Sequence, residues 1–418
     1  MRRAHHVALL ALAALAAATF ALVAAPNPSP RIAAAPVPFA VSPNGEYLIQ
    51  FSTRAAQRSQ ATERLRGKGI SLEAVAPRLF VSLATMTPEE AALAATEPGV
   101  VAIDPNAQLF ATATQPSPPW GLDRSDQTDL PLDQSFTYSD TAGAGTTVFI
   151  IDSGINSTHA DFAGRLGAGY DDVQDGNGTS DCYGHGTHVA GIAAGTTYGF
   201  AKLATIVPVR VLKCNGKTSL ASVLRGINWV IDNHISGRAV ATMSIAGDAG
   251  YTTLDNAIAA LVADGVAVAV AAGNDNGASA CNTSPARSPA ALTVGATTDQ
   301  DAKSSFSNIG PCLELFAPGS NIISAWTGSP TATNTHSGTS MAAPHVAGAL
   351  AVLWTDHPTL NAEQAQALLL ATTIPNRLTG IGAGSPNLLL HITPAMVTLQ
   401  GPADASWPAD RCSASPAC

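Results

Sequence analysis

From Thr146 onward the chain alternates short, mainly apolar runs with amphipathic stretches, and this alternation constrains its fold more than any other feature. The runs Thr147–Ile151, Ile206–Leu212, Val240–Ile245 and Val266–Ala272 read as buried strands, while Ser219–Asn233 and Leu254–Ala263 have helical periodicity. Strands separated by crossover helices pair in parallel. The expected fold class is therefore α/β, a doubly wound, mostly parallel sheet with helices on both faces. Reactive groups in such sheets collect beyond the carboxyl ends of the strands.

A chain of 418 residues exceeds one ordinary domain. Arg2 and Arg3, the apolar run Val7–Val23 and the small residues Val23-Ala24-Ala25 form a signal-peptide pattern over residues 1–25. This implies a secreted, extracellular protein with no stable membrane anchor, since no other apolar stretch is suited to spanning. A Pro-rich linker (26–44) leads to a small α/β unit (45–112). There, Tyr47-Leu48-Ile49 and Leu79-Phe80-Val81 are strand-like, and the sequences around Glu63-Arg64-Leu65 and from Pro88 to Thr96 are helix-like. A second Pro-rich stretch, Gln115–Pro119, marks a boundary. Only 12% of residues are charged and the net charge is −9, so the concentrated basic surface that nucleic acid requires is lacking. The six cysteines all follow residue 180. An even number in an exported chain favours disulfides over thiol catalysis, and no CxxC or CxxH spacing points to zinc.

Three motifs carry chemistry. In Val148-Phe149-Ile150-Ile151-Asp152-Ser153-Gly154 an acid stands where an apolar strand enters a turn, although Asp at such a place is also a common turn residue. In Gly184-His185-Gly186-Thr187-His188-Val189-Ala190-Gly191 the glycines would leave the His185 ring unobstructed, as a general base requires, and His188 reads as structural. In Ser337-Gly338-Thr339-Ser340-Met341-Ala342-Ala343-Pro344-His345-Val346-Ala347-Gly348 a serine enters a helix of small residues. Amides at that end favour developing negative charge, and a plain N-cap is the competing role for Ser340.

Together these motifs resemble the subtilisin superfamily, in which the triad follows the chain order Asp, His, Ser. The resemblance implies that Ser340 attacks the peptide carbonyl, His185 relays the proton and Asp152 orients the imidazole. Val270-Ala271-Ala272-Gly273-Asn274-Asp275 matches the family's oxyanion segment, with Asn274 and the Ser340 N–H as donors and Ala271, Ala272 and Gly273 among the substrate-binding residues. Peptide substrates bind in this family as an added strand. Ser244, Ile245, Ala246 and Gly247 resemble one wall of that groove and Gly216 the other. Ala246 stands where glycine is usual and should shift the side-chain preference.

The cysteine positions resemble the proteinase K branch, and within it the aqualysin-like bacterial proteases. That resemblance pairs Cys182 with Cys214 and Cys281 with Cys312. It also implies structural calcium at Asp123, Asp126, Gln127 and Asp133, with Ser135 where an amide is usual, and a second site at Pro289, Ala291 and Glu314. No cofactor is expected for catalysis. Residues 45–112 resemble an inhibitory propeptide, removed near Ala113 by the enzyme itself, and 113–393 form the catalytic domain. Residues 394–418, with Cys412 and Cys418, make a tail without an assigned role.

The function implied is a secreted serine endopeptidase working through an acyl-enzyme on Ser340. Protein and peptide substrates and its own propeptide would be its partners, and it would be a monomer. A serine esterase is disfavoured because such enzymes place Ser before Asp and His. A catalytically inactive binding protein would have no reason to keep the triad and Asn274 together.

Overall fold

The computed structural model describes residue 42 and residues 45–106, 111–234, 236–247 and 250–392. The expected leader, the linker apart from residue 42, and the tail with Cys412 and Cys418 lie outside the described residues.

The first unit runs β1 (Glu46–Phe51), α1 (Ala55–Gly67), β2 (Glu73–Ala76), β3 (Val81–Thr85), α2 (Pro88–Ala95) and β4 (Val100–Pro105). Its antiparallel sheet has the order β2-β3-β1-β4, a split βαβ arrangement. Tyr47, Ile49 and Phe51 alternate onto the buried face of β1, and Ala61, Leu65, Ala91 and Ala94 are buried from the two helices. A capping box starts α2: the Thr87 hydroxyl accepts the Glu90 N–H at 3.2 Å and the Glu90 carboxylate accepts the Thr87 N–H at 2.8 Å. The expected strand at Leu79-Phe80-Val81 is corrected in part. Pro77 presets a 3-10 turn over Pro77–Leu79, and Phe80 takes a left-handed φ of 57° before β3 begins at Val81.

The larger unit opens with β5 (Thr112–Pro116), α3 (Trp120–Ser125) and β6 (Ser135–Ser139); β5 pairs antiparallel with β6. Gln115 fastens β5 to the body: its Nε2 donates to the Thr197 carbonyl at 3.0 Å and its Oε1 accepts from Lys202 Nζ at 2.7 Å.

The main sheet contains β7 (Thr146–Asp152), β8 (Tyr170–Asp171), β9 (Thr205–Arg210), β10 (Arg238–Met243), β11 (Val266–Ala271), β12 (Leu292–Thr297) and β13 (Leu315–Pro318). A hairpin, β14 (Ile322–Ala325) and β15 (Thr333–His336), follows, and β16 (Ile374–Pro375) and β17 (Leu388–Leu389) finish the sheet at one edge. The order is β16-β17-β13-β12-β11-β10-β7-β9-β8, parallel throughout except for β16. The expected fold class is met. Residues of β7, β10, β11 and β12 are almost wholly buried, as strands covered on both faces must be.

The helices are α4 (His185–Ala194), α5 (Leu220–Asn233), α6 (Thr252–Ala263), α7 (Thr339–Asp356) and α8 (Ala362–Thr372). The chain runs outward from β7 to the edge strand β8 and turns back through α4 to β9, then through α5 past β7 to β10; α4 packs with α7 and α5 with α6. That reversal makes the carboxyl end of β7 the switch point of the sheet. Helix α7 is buried along nearly its whole length and packs against α4. A Cβ on Gly348 would lie 2.2 Å from the Ala193 carbonyl oxygen, so this helix pair approaches closely only because the residue is glycine. No described helix is long and apolar enough to cross a membrane.

Candidate active site

Asp152 ends β7 and is fully buried, while His185 begins α4 with 21% of its side chain exposed. Both Asp152 carboxylate oxygens lie 2.9 Å from His185 Nδ1. Nδ1 therefore carries the proton, and the Nε2 lone pair is available to act as a base. Burial of the ring opposes its charged form. The charge of Asp152, the hydrogen bond to it and the charge of Asp181 outweigh this and raise the imidazole above its ordinary pKa.

Asp181 organises the loop that leads into His185, a part sequence reasoning missed. One oxygen accepts the Ser153 hydroxyl and the N–H groups of Tyr183 and Gly184; the other accepts the Thr187 N–H and hydroxyl, all between 2.6 and 2.9 Å. Nothing local in the sequence distinguishes it from other loop acids. The flanking glycines also work differently from the expectation. Gly184 has φ 105° and its Cβ would lie 2.3 Å from the Trp326 ring, while a Cβ on Gly186 would lie 2.3 Å from the Gly154 carbonyl oxygen. They let the His185 loop pack tightly on its neighbours. His188 is structural as expected: its Nε2 meets the Ile322 and Asn334 carbonyls at 3.1 Å, and burial, helped by the charge of His336, pushes its pKa down to about 3.

Ser340 is the second residue of α7, and Gly338 takes the N-cap position, which corrects the competing N-cap reading. At that place the helix supplies no carbonyl for the Ser340 N–H. Pro344 lacks the N–H that would bond to the Ser340 carbonyl. Ser244 fills the gap, donating its hydroxyl to that carbonyl at 2.8 Å. The Ser340 hydroxyl in turn donates to the Ser244 carbonyl at 3.3 Å. The nucleophile candidate thus rests against the groove wall.

Asn274 follows β11. Its Oδ1 accepts the Thr339 N–H at 2.9 Å and the Thr339 hydroxyl at 3.0 Å, which fixes the amide orientation and leaves Nδ2 as an exposed donor. A Cβ built on Gly338 would lie 3.6 Å from both that Nδ2 and the Ser340 backbone nitrogen, so the two donors border one small space. Thr339 also accepts the Gly273 N–H at 3.1 Å.

Of the expected groove residues, Ser244 is buried and Ala246 exposed, and the Gly247 N–H donates to the Ser284 carbonyl at 2.9 Å. Ile245 is half-buried, and Ala271, Ala272 and Gly273 are buried at the end of β11. Gly216, at φ 73°, lies against Tyr183, whose ring centroid is 6.3 Å from that of His185.

Cys182 is bonded to Cys214 and Cys281 to Cys312, with sequence separations of 32 and 31 residues. Closing loops of that size contributes about 3–4 kcal/mol each in an unstrained bridge. Among the described residues, Asp175, Cys182 and Cys214 form one cluster of metal-ligand type, but its sulfurs are spent in the disulfide.

The acidic segment from Asp123 in α3 to Asp133 is different. Asp123 Oδ2 accepts the Gln134 N–H at 3.0 Å and Asp126 Oδ2 the Thr137 N–H at 2.6 Å, while the buried Oδ1 of each has no hydrogen-bond partner. Burial first, then the charges of Asp133 and Asp123, push Asp126 up to about 7, and burial with the Asp133 charge raises Asp123. Two orphaned buried carboxylate oxygens fit a hard cation. Gln127 is used otherwise, its Oε1 accepting the Asp133 N–H at 3.1 Å and its Nε2 donating to the Asp129 and Pro131 carbonyls. Glu314 is buried with its carboxylate accepting the Thr293 N–H at 2.7 Å, and it leaves no orphaned oxygen beside Pro289 and Ala291.

The subtilase family model matches residues 143–389, which include Asp152, His185, Asn274 and Ser340. The chain is 48% identical over 335 residues to an extracellular serine proteinase of Thermus sp. (strain Rt41A), covering 80% of this chain and 81% of that protein. It is 45% identical over 292 residues to alkaline serine exoprotease A of Vibrio alginolyticus, covering 70% of this chain but 53% of that longer protein. A solved structure, a cold-adapted subtilisin-like serine proteinase, is similar at a TM-score of 0.63 and 46% identity, covering 66% of this chain and 98% of its own. A match over more than half of the chain, with relatives of that identity and coverage, makes this protein a member of the subtilase family and a serine endopeptidase.

Proposed function

We propose that Ser340 is the nucleophile, His185 the general base and Asp152 the residue that orients it. The Ser340 Oγ proton passes to His185 Nε2 as Oγ bonds to the scissile carbonyl carbon. The resulting oxyanion sits between the Ser340 N–H and Asn274 Nδ2. Collapse breaks the C–N bond, and His185 returns the proton to the leaving amine. Water, deprotonated by the same imidazole, then releases the acyl group from Ser340. The observation that carries this reading is the Asp152 carboxylate on His185 Nδ1 at 2.9 Å, which selects the tautomer the reaction requires.

The substrate pairs as a strand between Ser244–Gly247 and Gly216. Residues 45–112 act as a propeptide that the enzyme removes, leaving a chain that starts within β5, where Ala113 pairs with Tyr138. Export to the extracellular medium follows from the leader pattern. Asp123 and Asp126 hold a calcium ion whose part is to neutralise their buried charge, with no role in the reaction steps.

Wild type and Ser340→Ala are compared for hydrolysis of an apolar peptide anilide and for precursor size on a gel. Activity and shortening in the wild type alone are expected. Processing without Ser340 overturns the self-removal, and hydrolysis surviving its loss overturns the nucleophile.

A further inference from the structure

Asn308 lies 34 residues beyond Asn274 in sequence and is wholly buried, yet it grips the turn that presents Asn274. Its Nδ2 donates to the Ala272 carbonyl at 3.1 Å and to Asp275 Oδ2 at 2.9 Å. Its Oδ1 accepts the Asp275 N–H at 2.8 Å, and its own N–H donates to the Gly273 carbonyl at 3.0 Å. The residue before it is anchored in the sheet: the Ser307 hydroxyl accepts the Ala296 N–H of β12 at 3.0 Å. Gly273 adopts φ 100°, and a Cβ there would come within 2.4 Å of Asn308 Nδ2, so the turn admits this clamp only with glycine.

The turn is thus held from two sides. Thr339 fixes Gly273 and Asn274 on the side of the nucleophile helix, and Asn308 fixes Ala272, Gly273 and Asp275 on the side of the sheet. Asn274 projects between the two clamps with Nδ2 left over. A donor held this way needs no reorganisation when negative charge develops, which is the condition for strong electrostatic stabilisation.

We infer that Asn308 is a positioning residue for the reaction. It acts through Asn274 without touching substrate, and so rests on Asn274 being the oxyanion donor.

The test is a kinetic double-mutant cycle on the mature enzyme, with Asn274→Ala, Asn308→Ala and both together, assayed well below each variant's unfolding midpoint. Asn308→Ala is expected to lower kcat by about tenfold with KM changed by less than about twofold, and to cost less than about twofold further once Asn274 is gone. Losses that multiply fully, an unchanged kcat, or an effect confined to KM would overturn the positioning role while leaving Asn274 as donor. An unchanged kcat in Asn274→Ala would remove the oxyanion reading itself and this inference with it.

Should Asn308→Ala fail to fold, an exchange of polarity serves in its place. Asn308→Asp sets two carboxylates against each other and is expected to lower kcat. Adding Asp275→Asn restores the donor–acceptor pair at that contact and is expected to recover part of the loss, the Ala272 carbonyl staying without its Asn308 donor. No recovery in a folded double variant would overturn the clamp.

Discussion

The Ala272–Asp275 turn and the Asp123–Asp133 loop are both surface segments organised by buried polar side chains, but they close their hydrogen bonds in opposite ways. In the turn, Asn308 and Thr339 satisfy the backbone, and the donor left over, Asn274 Nδ2, is exposed. In the loop, backbone N–H groups satisfy one oxygen of Asp123 and of Asp126, and the oxygens left over face inward without partners. An unmatched group that faces solvent costs little and can wait for substrate. An unmatched buried carboxylate oxygen is costly until something from solution neutralises it. In the proposed mechanism every catalytic group comes from the polypeptide, whereas the proposed calcium ion would complete the acidic loop. Activity at the turn should respond to single hydrogen bonds, and stability at the loop to ions.

The largest effect expected is at the catalytic bond that needs no ion. Asp152→Asn should lower kcat by about 10,000-fold, the loss such an exchange causes in a serine-protease triad, because the amide favours the wrong imidazole tautomer. Added calcium should not restore it; recovery with calcium would break the contrast between the two regions.

Asp181→Asn should act more gently. The His185 pKa is raised in part by the Asp181 charge, and His185 must be neutral to accept a proton. Activity therefore rises as pH passes upward through that raised value, and removing the charge moves this acid limb to lower pH. A kcat/KM profile that stays in place would show that Asp181 only builds the loop.

The acidic loop gives the intermediate effect, read as stability. Asp126 is raised to about 7 from an ordinary value near 4, so in the cation-free protein its contribution to stability is present below about pH 4. It is lost as pH rises through about 7. A bound cation favours the carboxylate and should offset that loss. Calcium at 100 times its Kd should add about 2.7 kcal/mol to the unfolding free energy. The gain should be larger at pH 8 than at pH 5, and reduced in Asp126→Asn. Equal stabilisation at both pH values, or in the variant, would assign calcium to another place.

Much of this was legible in the sequence because its signals are local. Apolar runs gave the strands of the main sheet, and strand-end or helix-entry motifs picked out Asp152, His185 and Ser340. Contacts between distant segments were not legible: Ser244 completing the bond that Pro344 breaks, Thr339 holding Asn274, and Asn308 holding the turn beneath it. Local patterns also misled. Phe80 sits in an apolar run but turns left-handed after Pro77, and the glycines beside His185 serve packing.

The smallest predicted effect asks whether the groove wall is independent of the turn. Ala246 is exposed, and the neighbouring Gly247 is already tied to Ser284, so removing the Ala246 methyl should leave the backbone of the wall in place. One methyl group changes apolar contact by about 0.8 kcal/mol, roughly fourfold in relative preference among substrate side chains. A peptide library should show that shift in Ala246→Gly through KM, with kcat for a common substrate unchanged. An unaltered preference would remove the methyl from the specificity of this enzyme. A change in kcat would mean that the wall, through Ser244 and its two bonds to Ser340, transmits strain to the nucleophile, and substrate selection and catalysis could not be tuned apart.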